Sequence, residues 1–428
     1  MDEESIWLQV RSTRVNVLFI HEVDWLAKVV FDIHTLAESL SLRRHQIYAI
    51  DYENTWRRAS LRDTVNLRTK EIAAVSRAFP GSSVCLRRPG FIRIPGLSRL
   101  SAAFTHYFEI RKTLREKSID AIVLYSVPTN GLQAIHLARK FNIPVVFRSI
   151  DILNQLVTWP VLRPVTRFLE KKVYSRADMI LTLTPKLSRY VVDRGASDAR
   201  VKLLLMPVDT NLFHPSVDFT EVHRKWGITD RNAVILFIGT LFDFSGLDIL
   251  IRQFPEVLRE IPEARLLIVG DGPQRSKLER IIAEVGLQQK VIITGFQPYE
   301  TMPQYINLAT ICINTFLITD ATRDIFPGKI VQYLACGKAV IATRLPGMVA
   351  VIPGEGQGVV YANKIDDMTG EIILLLGSTE RRRQLEQAGL SYVTQVHSYD
   401  KISQELEAVL EKAIKEKKNE AIFTGISV

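Results

Sequence analysis

A chain of 428 residues, 47% hydrophobic and 24% charged, is too long for one core and too apolar for disorder, so two domains of roughly 200 residues are expected. No apolar run reaches the roughly 18 residues of a membrane span, the first residues are acidic where a signal peptide is basic, and three scattered cysteines argue against a disulfide framework or zinc site. These features point to the cytoplasm, while the net charge of +9 is concentrated in residues 57–117, where fourteen Lys and Arg face four Asp and Glu, a block that suggests an anionic partner surface.

Arg14 to Ile20 reads as a buried parallel strand. Ile33, Leu36, Ala37 and Leu40 follow at helical spacing, and Gln46 to Ile50 is a second strand. Strand, helix and strand in this order open a Rossmann-like half. The turn between, His21 to Lys28, has no glycine and is no phosphate cradle; His21 is either a local structural residue or an acid–base group.

Residues 87–117 mix the basic block with apolar residues, and Leu97, Leu100, Phe104, Tyr107 and Phe108 fall at helical spacing. One reading is a core helix with a solvated basic face. A second is a membrane-surface element in which Phe91 and its apolar neighbours enter the interface while Arg87, Arg88, Arg93 and Arg99 meet lipid headgroups or an acceptor. Nucleic acid is not expected as a partner, because no known nucleic-acid module is visible.

Ile119 to Tyr125 and Ile143 to Phe147 are further strands, with a helix from Leu132 to Phe141 between them. The second strand ends at Asp151, where open α/β sheets bind ligands; the carboxylate either caps the next segment or faces a ligand. A last strand begins at Val201, and Pro207 to Pro215 reads as a linker. The pattern restarts at Ala233 to Gly239, then Thr240 to Gly246. Ala264 to Val269 enters the tight turn Gly270-Asp-Gly-Pro273, and Lys290 to Thr294 leads into Gly295-Phe296-Gln297.

The stretch Asp320-Ala-Thr-Arg323-Asp324-Ile-Phe326-Pro327-Gly328-Lys329-Ile330-Val331-Gln332 runs from a polar loop into a helix that Gly337 caps, and a strand follows at Ala339 to Ala342. Backbone N–H groups at Gly328 to Val331 carry the positive end of the helix dipole, suited to an anion. Lys329 in that first turn opposes the dipole, which disfavours it for helix stability and suits it to phosphate.

This block resembles the donor-site signature of the retaining nucleotide-sugar glycosyltransferases of family 4, and the resemblance covers roughly residues 14–395. It implies an α/β, GT-B architecture of two Rossmann-like doubly wound domains facing a cleft. Residues 1–208 would be the acceptor domain and 209–395 the nucleotide-sugar donor domain, with a helix at about 396–418 packing back on the first. The implied reaction moves a sugar from a nucleotide-sugar donor to a glycan or lipid-linked acceptor with retention of configuration, as in polysaccharide or glycolipid synthesis. No cofactor or metal is expected; the location would be cytoplasmic, peripheral at the inner face of the cell membrane.

By the same resemblance Asp324 would accept hydrogen bonds from donor-sugar hydroxyls, with Asp151 across the cleft. Gln332 would contact the ribose. Lys329, Arg323 and the amides of Gly328, Ile330 and Val331, behind Phe326 and Pro327, would hold the diphosphate. Gly239, Gly270 and Gly295 with Phe296 and Gln297 would line the nucleotide. The family commonly places an arginine and a lysine where this chain has Thr240 and Ser245, and a glutamate at Gln332. Two lost cations would remove charge-assisted hydrogen bonds of roughly 1.5–3 kcal/mol each, so a catalytically weakened GT-B-fold partner subunit is the alternative.

Overall fold

The computed structural model describes residues 14–53, 64–155, 157 and 160–424. Arg57, Arg58 and Arg62 of the basic block lie outside the described residues. The first unit runs β1 (Asn16–Ile20), α1 (Asp32–Leu42), β2 (Gln46–Ile50), β3 (Val65–Asn66), β4 (Lys70–Val75), β5 (Val84–Arg88), β6 (Phe91–Ile92), α2 (Leu97–Glu116), β7 (Ala121–Leu124) and α3 (Gly131–Lys140). It continues through β8 (Val145–Ser149), α4 (Arg163–Tyr174), β9 (Met179–Thr182), α5 (Pro185–Asp193) and β10 (Val201–Leu203). Its eight-stranded sheet has the order β10-β9-β8-β7-β1-β2-β5-β4. All neighbours are parallel except β4 against β5, and β3 pairs with β6 in a small antiparallel ribbon. The central strands are continuous apolar runs because helices cover both faces.

On one face α1 and the C-terminal helix pack through Leu36, Leu40, Ile402 and Leu406. On the other, α2, α3 and α4 pack through Ile110, Leu114, Ala134 and Val173. β1 pairs with β2 on one side and β7 on the other, so the chain reverses its winding there. Ligand crevices of open sheets form at such switch points, outside the carboxyl ends of the strands.

The second unit runs α6 (Thr220–Lys225), β11 (Ala233–Ile238), α7 (Leu247–Glu260), β12 (Ala264–Val269), α8 (Arg275–Glu284), β13 (Val291–Ile293), α9 (Met302–Leu308), β14 (Ile311–Asn314) and α10 (Lys329–Ala335). Then come β15 (Val340–Thr343), α11 (Pro346–Val349), β16 (Val359–Ala362), α12 (Met368–Gly377) and α13 (Thr379–Val396), after which α14 (Tyr399–Thr424) returns to the first unit. The six strands are parallel in the order β13-β12-β11-β14-β15-β16, with the switch at β11. Gly337 closes α10 at φ +65°, and the Lys338 N–H donates to Tyr333 O at 3.1 Å, the left-handed stop that only glycine makes without a Cβ penalty.

The chain crosses between units twice, at Met206 to Val208 and at His397 to Tyr399. The crossings bond to each other: Val208 N–H donates to His397 O at 2.8 Å, and Tyr399 N–H to Val208 O at 3.1 Å. One apolar cluster spans the units, joining Ile152, Leu183 and Leu187 to Phe326, Ile330 and Tyr333.

Candidate active site

The floor of the cleft on the second unit is built from glycines at the carboxyl ends of three adjacent strands. Gly239 follows β11, Gly270 follows β12, and Gly295 lies just beyond β13. Gly239 N–H donates to Val269 O at 2.9 Å and Gly270 N–H to Gly295 O at 3.0 Å. A Cβ at Gly270 would lie 2.0 Å from Gly239 O, so the two turns touch backbone to backbone only because no side chain separates them. Beside them Phe296 projects into solvent, and the Gln297 amide donates to Thr294 O at 3.0 Å.

The loop between β14 and α10 is stitched by its threonines. Thr315 Oγ1 donates to Ser245 O at 2.5 Å, and Thr322 Oγ1 donates to Leu317 O. At its end Gly347 N–H donates to Arg323 O at 2.8 Å, and a Cβ at Gly347 would meet the Asp324 carbonyl at 2.4 Å. Gly347 therefore permits the close seat of Asp324. Phe326 stacks on His397 at 6.0 Å between ring centroids, 5° from parallel, and Arg323 is exposed.

Lys329 enters the first turn of α10, but its Nζ is buried 3.7 Å over the Phe237 ring and 4.3 Å over Phe316. Burial pushes its pKa well below the ordinary lysine value, since an ammonium loses hydration there and gains only the ring faces. A Cβ at Gly239 would sit 3.3 Å from that nitrogen, so the bare glycine leaves it room. Gln332 Nε2 donates to Tyr299 Oη at 3.4 Å. A Cβ at Gly328 would lie 2.4 Å from the Met206 sulfur, which places the thioether directly over the start of α10.

Across the cleft, Asp151 follows β8. A small pocket is lined by Asp151, Ile152 and Gln155 from the first unit and by Ala321, Asp324 and Ile325 from the second. Burial raises the Asp151 carboxyl to about 6, with the Lys28 charge pulling the other way and Asp32 adding to the rise. Lys186, at the start of α5, forms an ion pair with Asp324. Lys186 was not among the expected residues, although it carries the same signal as Lys329: a lysine in the first turn of a helix, set against the dipole. Met206 and Gly347 were missed as well, because their importance lies in contacts from far along the chain. Among the described residues no three His, Cys, Asp or Glu side chains are grouped to hold a metal ion.

Two sets of expectations are corrected. Ser245 is only 2% exposed, tucked beneath Thr315, and is not placed to touch a ligand, whereas Thr240 is exposed. In the basic block, Arg87 is 2% exposed and paired with Glu109 at 2.6 Å. Arg88 is held by Asp51 and Asp24, and Arg93 by Glu53 at 2.5 Å. Phe91 is fully buried, stacked on Tyr52 at 4.8 Å. Arg99 is half-exposed, paired with Glu22 at 2.7 Å and lying over the Tyr52 ring. Fold-internal carboxylates consume most of these cations, so the four arginines and Phe91 do not form a lipid-facing set.

Two Rossmann-like units with an anion-suited helix start and paired carboxylates across the cleft define a GT-B protein. Residues 218–391 match the family described as glycosyl transferases group 1, and residues 33–205 match the glycosyl transferase 4-like domain. The chain belongs to this family of group 1, family 4-like glycosyltransferases.

It is 31% identical over 242 residues to the GDP-mannose-dependent alpha-(1-6)-phosphatidylinositol monomannoside mannosyltransferase of Mycolicibacterium smegmatis, a match covering 54% of this chain and 62% of that one, less than two thirds of its length. It is 28% identical over 303 residues to a GDP-mannose-dependent monoacylated alpha-(1-6)-phosphatidylinositol monomannoside mannosyltransferase of Corynebacterium glutamicum, covering 70% of this chain and 78% of that one. Among solved structures, sucrose-phosphate synthase from Thermosynechococcus elongatus superposes with a TM-score of 0.72 at 16% identity, over 94% of this chain and 100% of that one. Anabaena Alr3699/HepE in complex with UDP-glucose gives 0.69 at 17% identity, over 93% and 100%. At these identities the structures establish the fold alone.

Proposed function

We propose that the protein transfers a sugar from a nucleotide-sugar donor to a glycan or lipid-linked acceptor, with retention of configuration. The observation that carries this reading is the meeting of Asp324 and Asp151 at one pocket. In this reading Gly239, Gly270, Gly295, Phe296 and Gln297 receive the nucleotide, and Gln332 reaches its ribose. Arg323, Lys329 and the amides at Gly328 to Val331 face the diphosphate, whose charge grows as the sugar leaves; fixed donors aimed at developing charge are the main source of rate in such sites. Asp324 orients the sugar hydroxyls, and Asp151 stands on the acceptor side.

The names of the mycobacterial and corynebacterial relatives favour a GDP-sugar and a phosphatidylinositol-type acceptor, hence peripheral work at the inner face of the cell membrane. Among the described residues no helix is long and apolar enough to cross a membrane. The test is thermal stabilisation of the purified protein by a panel of GDP- and UDP-sugars, since ligand at about 100 times its Kd adds about 2.7 kcal/mol. Transfer is then followed in the presence of EDTA, which leaves the rate unchanged in this metal-independent scheme, and the product anomer is assigned by NMR. No stabilisation by any donor would favour a catalytically weakened partner subunit instead.

A further inference from the structure

The first-unit wall of the cleft pocket is one short segment, in which Asp151, Ile152 and Gln155 line the pocket. Asn154 of the same segment turns into the fold and is 3% exposed. There it meets Glu170, fully buried on α4. The Asn154 backbone N–H donates to Glu170 Oε1 at 3.3 Å, and its side-chain Nδ2 donates to Oε2 at 3.1 Å. Tyr190 of α5 donates its hydroxyl to the same Oε2 at 2.8 Å and accepts from the Asn154 amide. Tyr174, four residues on along α4, donates to Oε1 at 3.4 Å. Burial and the Glu170 charge push both phenols above the ordinary tyrosine range, so they stay protonated and keep donating.

Tyr190 and Lys186 are four residues apart on α5 and share a face of that helix, and Lys186 pairs with Asp324 across the cleft. One buried carboxylate therefore bonds to both segments that bring first-unit groups to Asp324: the Asp151 segment through Asn154, and α5 through Tyr190. The geometry asks for an anion. All four donors are neutral, and two carboxylate oxygens accept from all of them. An amide in that place has one acceptor oxygen and would turn its own N–H groups toward donors, leaving buried polar groups unmatched.

We propose that Glu170 is a positioning residue: its carboxylate fixes the Asp151 segment against α5 and so sets where Asp151 and Lys186 each meet Asp324. Its part in sugar transfer rests on the transferase reading; the tie itself does not. The experiment titrates Asp151 in the full, ligand-free chain by NMR of carboxyl-labelled aspartate, the signal being assigned with Asp151→Asn. Calorimetry measures the affinity for GDP and UDP. Both are run on the wild type, on Glu170→Gln, on Tyr190→Phe, and on the swap Glu170→Gln/Asn154→Asp. The first two variants are also made in a Lys186→Ala background.

In the wild type, burial sets the Asp151 midpoint at about 6, with Lys28 opposing the rise and Asp32 adding to it. Glu170→Gln is expected to loosen the segment, let water reach the carboxylate and lower that midpoint toward 3.8. Nucleotide affinity falls several-fold with Lys186 present and changes no further in the Lys186→Ala background, because the substitution acts through that lysine. Tyr190→Phe moves both readouts the same way by less, which keeps the test decisive if the glutamine variant does not fold. The swap returns a carboxylate to the other end of the Asn154–Glu170 bond and restores both. A midpoint that stays at about 6 in the two single variants overturns the positioning. So does an affinity that falls by the same factor with and without Lys186, or a lowered melting temperature with neither readout moved, because Glu170 then serves folding alone. A wild type that binds neither nucleotide removes the transferase reading, and the Asp151 midpoint still decides the tie.

Discussion

Lys186 on the first unit and Asp324 on the second form an ion pair that closes the cleft across the site. Lys186 adds a cation to a cleft whose second unit carries the uncharged Thr240 and Ser245 at the positions where the family commonly has basic residues. In the proposed reading, a donor whose hydroxyls engage Asp324 releases the Lys186 ammonium to meet the diphosphate. Lys186→Ala should weaken nucleotide-diphosphate binding by about 1.5–3 kcal/mol. Its cost in melting temperature should be small, because a partly exposed pair contributes about 0–1 kcal/mol. Calorimetry that finds an unchanged dissociation constant would reduce the pair to a bridge between the units.

Asp151 gives the site a pH signature. Its carboxyl is raised from 3.8 to about 6, so the folded state holds a proton that the unfolded chain releases. The stabilisation is present below pH 3.8 and is lost as pH rises through about 6. Asp151→Asn should therefore be more stable than wild type above pH 6, with the difference vanishing toward pH 4. If the carboxylate is the working form, wild-type turnover rises through the same window and the variant shows a low, flat profile. A variant with normal turnover would remove Asp151 from the site.

Lys329 is buried against Phe237 and Phe316, and among the described residues no carboxylate pairs with it. An anionic diphosphate favours its protonated form, so donor binding should take up a proton wherever burial holds the free lysine neutral. The binding enthalpy should then depend on the ionisation enthalpy of the buffer, and Lys329→Met should abolish that dependence. Buffer-independent heats in the wild type would place the phosphates elsewhere.

Gly347 lets the donor loop sit where it does, because an added Cβ would approach the Asp324 carbonyl to 2.4 Å. Gly347→Ala should displace Asp324 and cost about 1–3 kcal/mol of stability, with a fall in turnover larger than the fall in donor affinity. A crystal structure of the variant with Asp324 unmoved would refute this account.

Much of the fold was legible because its strands are buried on both faces. Runs such as Val17 to Ile20 and Leu266 to Val269 are apolar without alternation, the pattern of a covered parallel sheet. The capping glycine at position 337 and the start of α10 were equally visible. The pairing of Arg87, Arg88, Arg93 and Arg99 was not legible for a physical reason: a count of charges does not reveal their partners. Arg88 is neutralised by Asp24 and Asp51, residues that only the closing of the sheet brings to it. Ser245 sits at the expected place in the chain and is buried by Thr315, a contact set by how two loops stack. Lys186 escaped notice because its importance depends on the opposite wall of the cleft.

The two chain crossings, tied through Val208, His397 and Tyr399, are placed to act as a single pivot. A pivot of this kind admits rotation and resists sliding, so the two walls of the cleft can part like a book while their register along the spine is kept. Met206 lies on that spine and over Gly328, so a swing of this kind would move the thioether relative to the amides at the start of α10. Substrate entry and exposure of the phosphate seat would then be one motion, and a cross-link stiffening the spine should slow donor release more than it lowers equilibrium affinity.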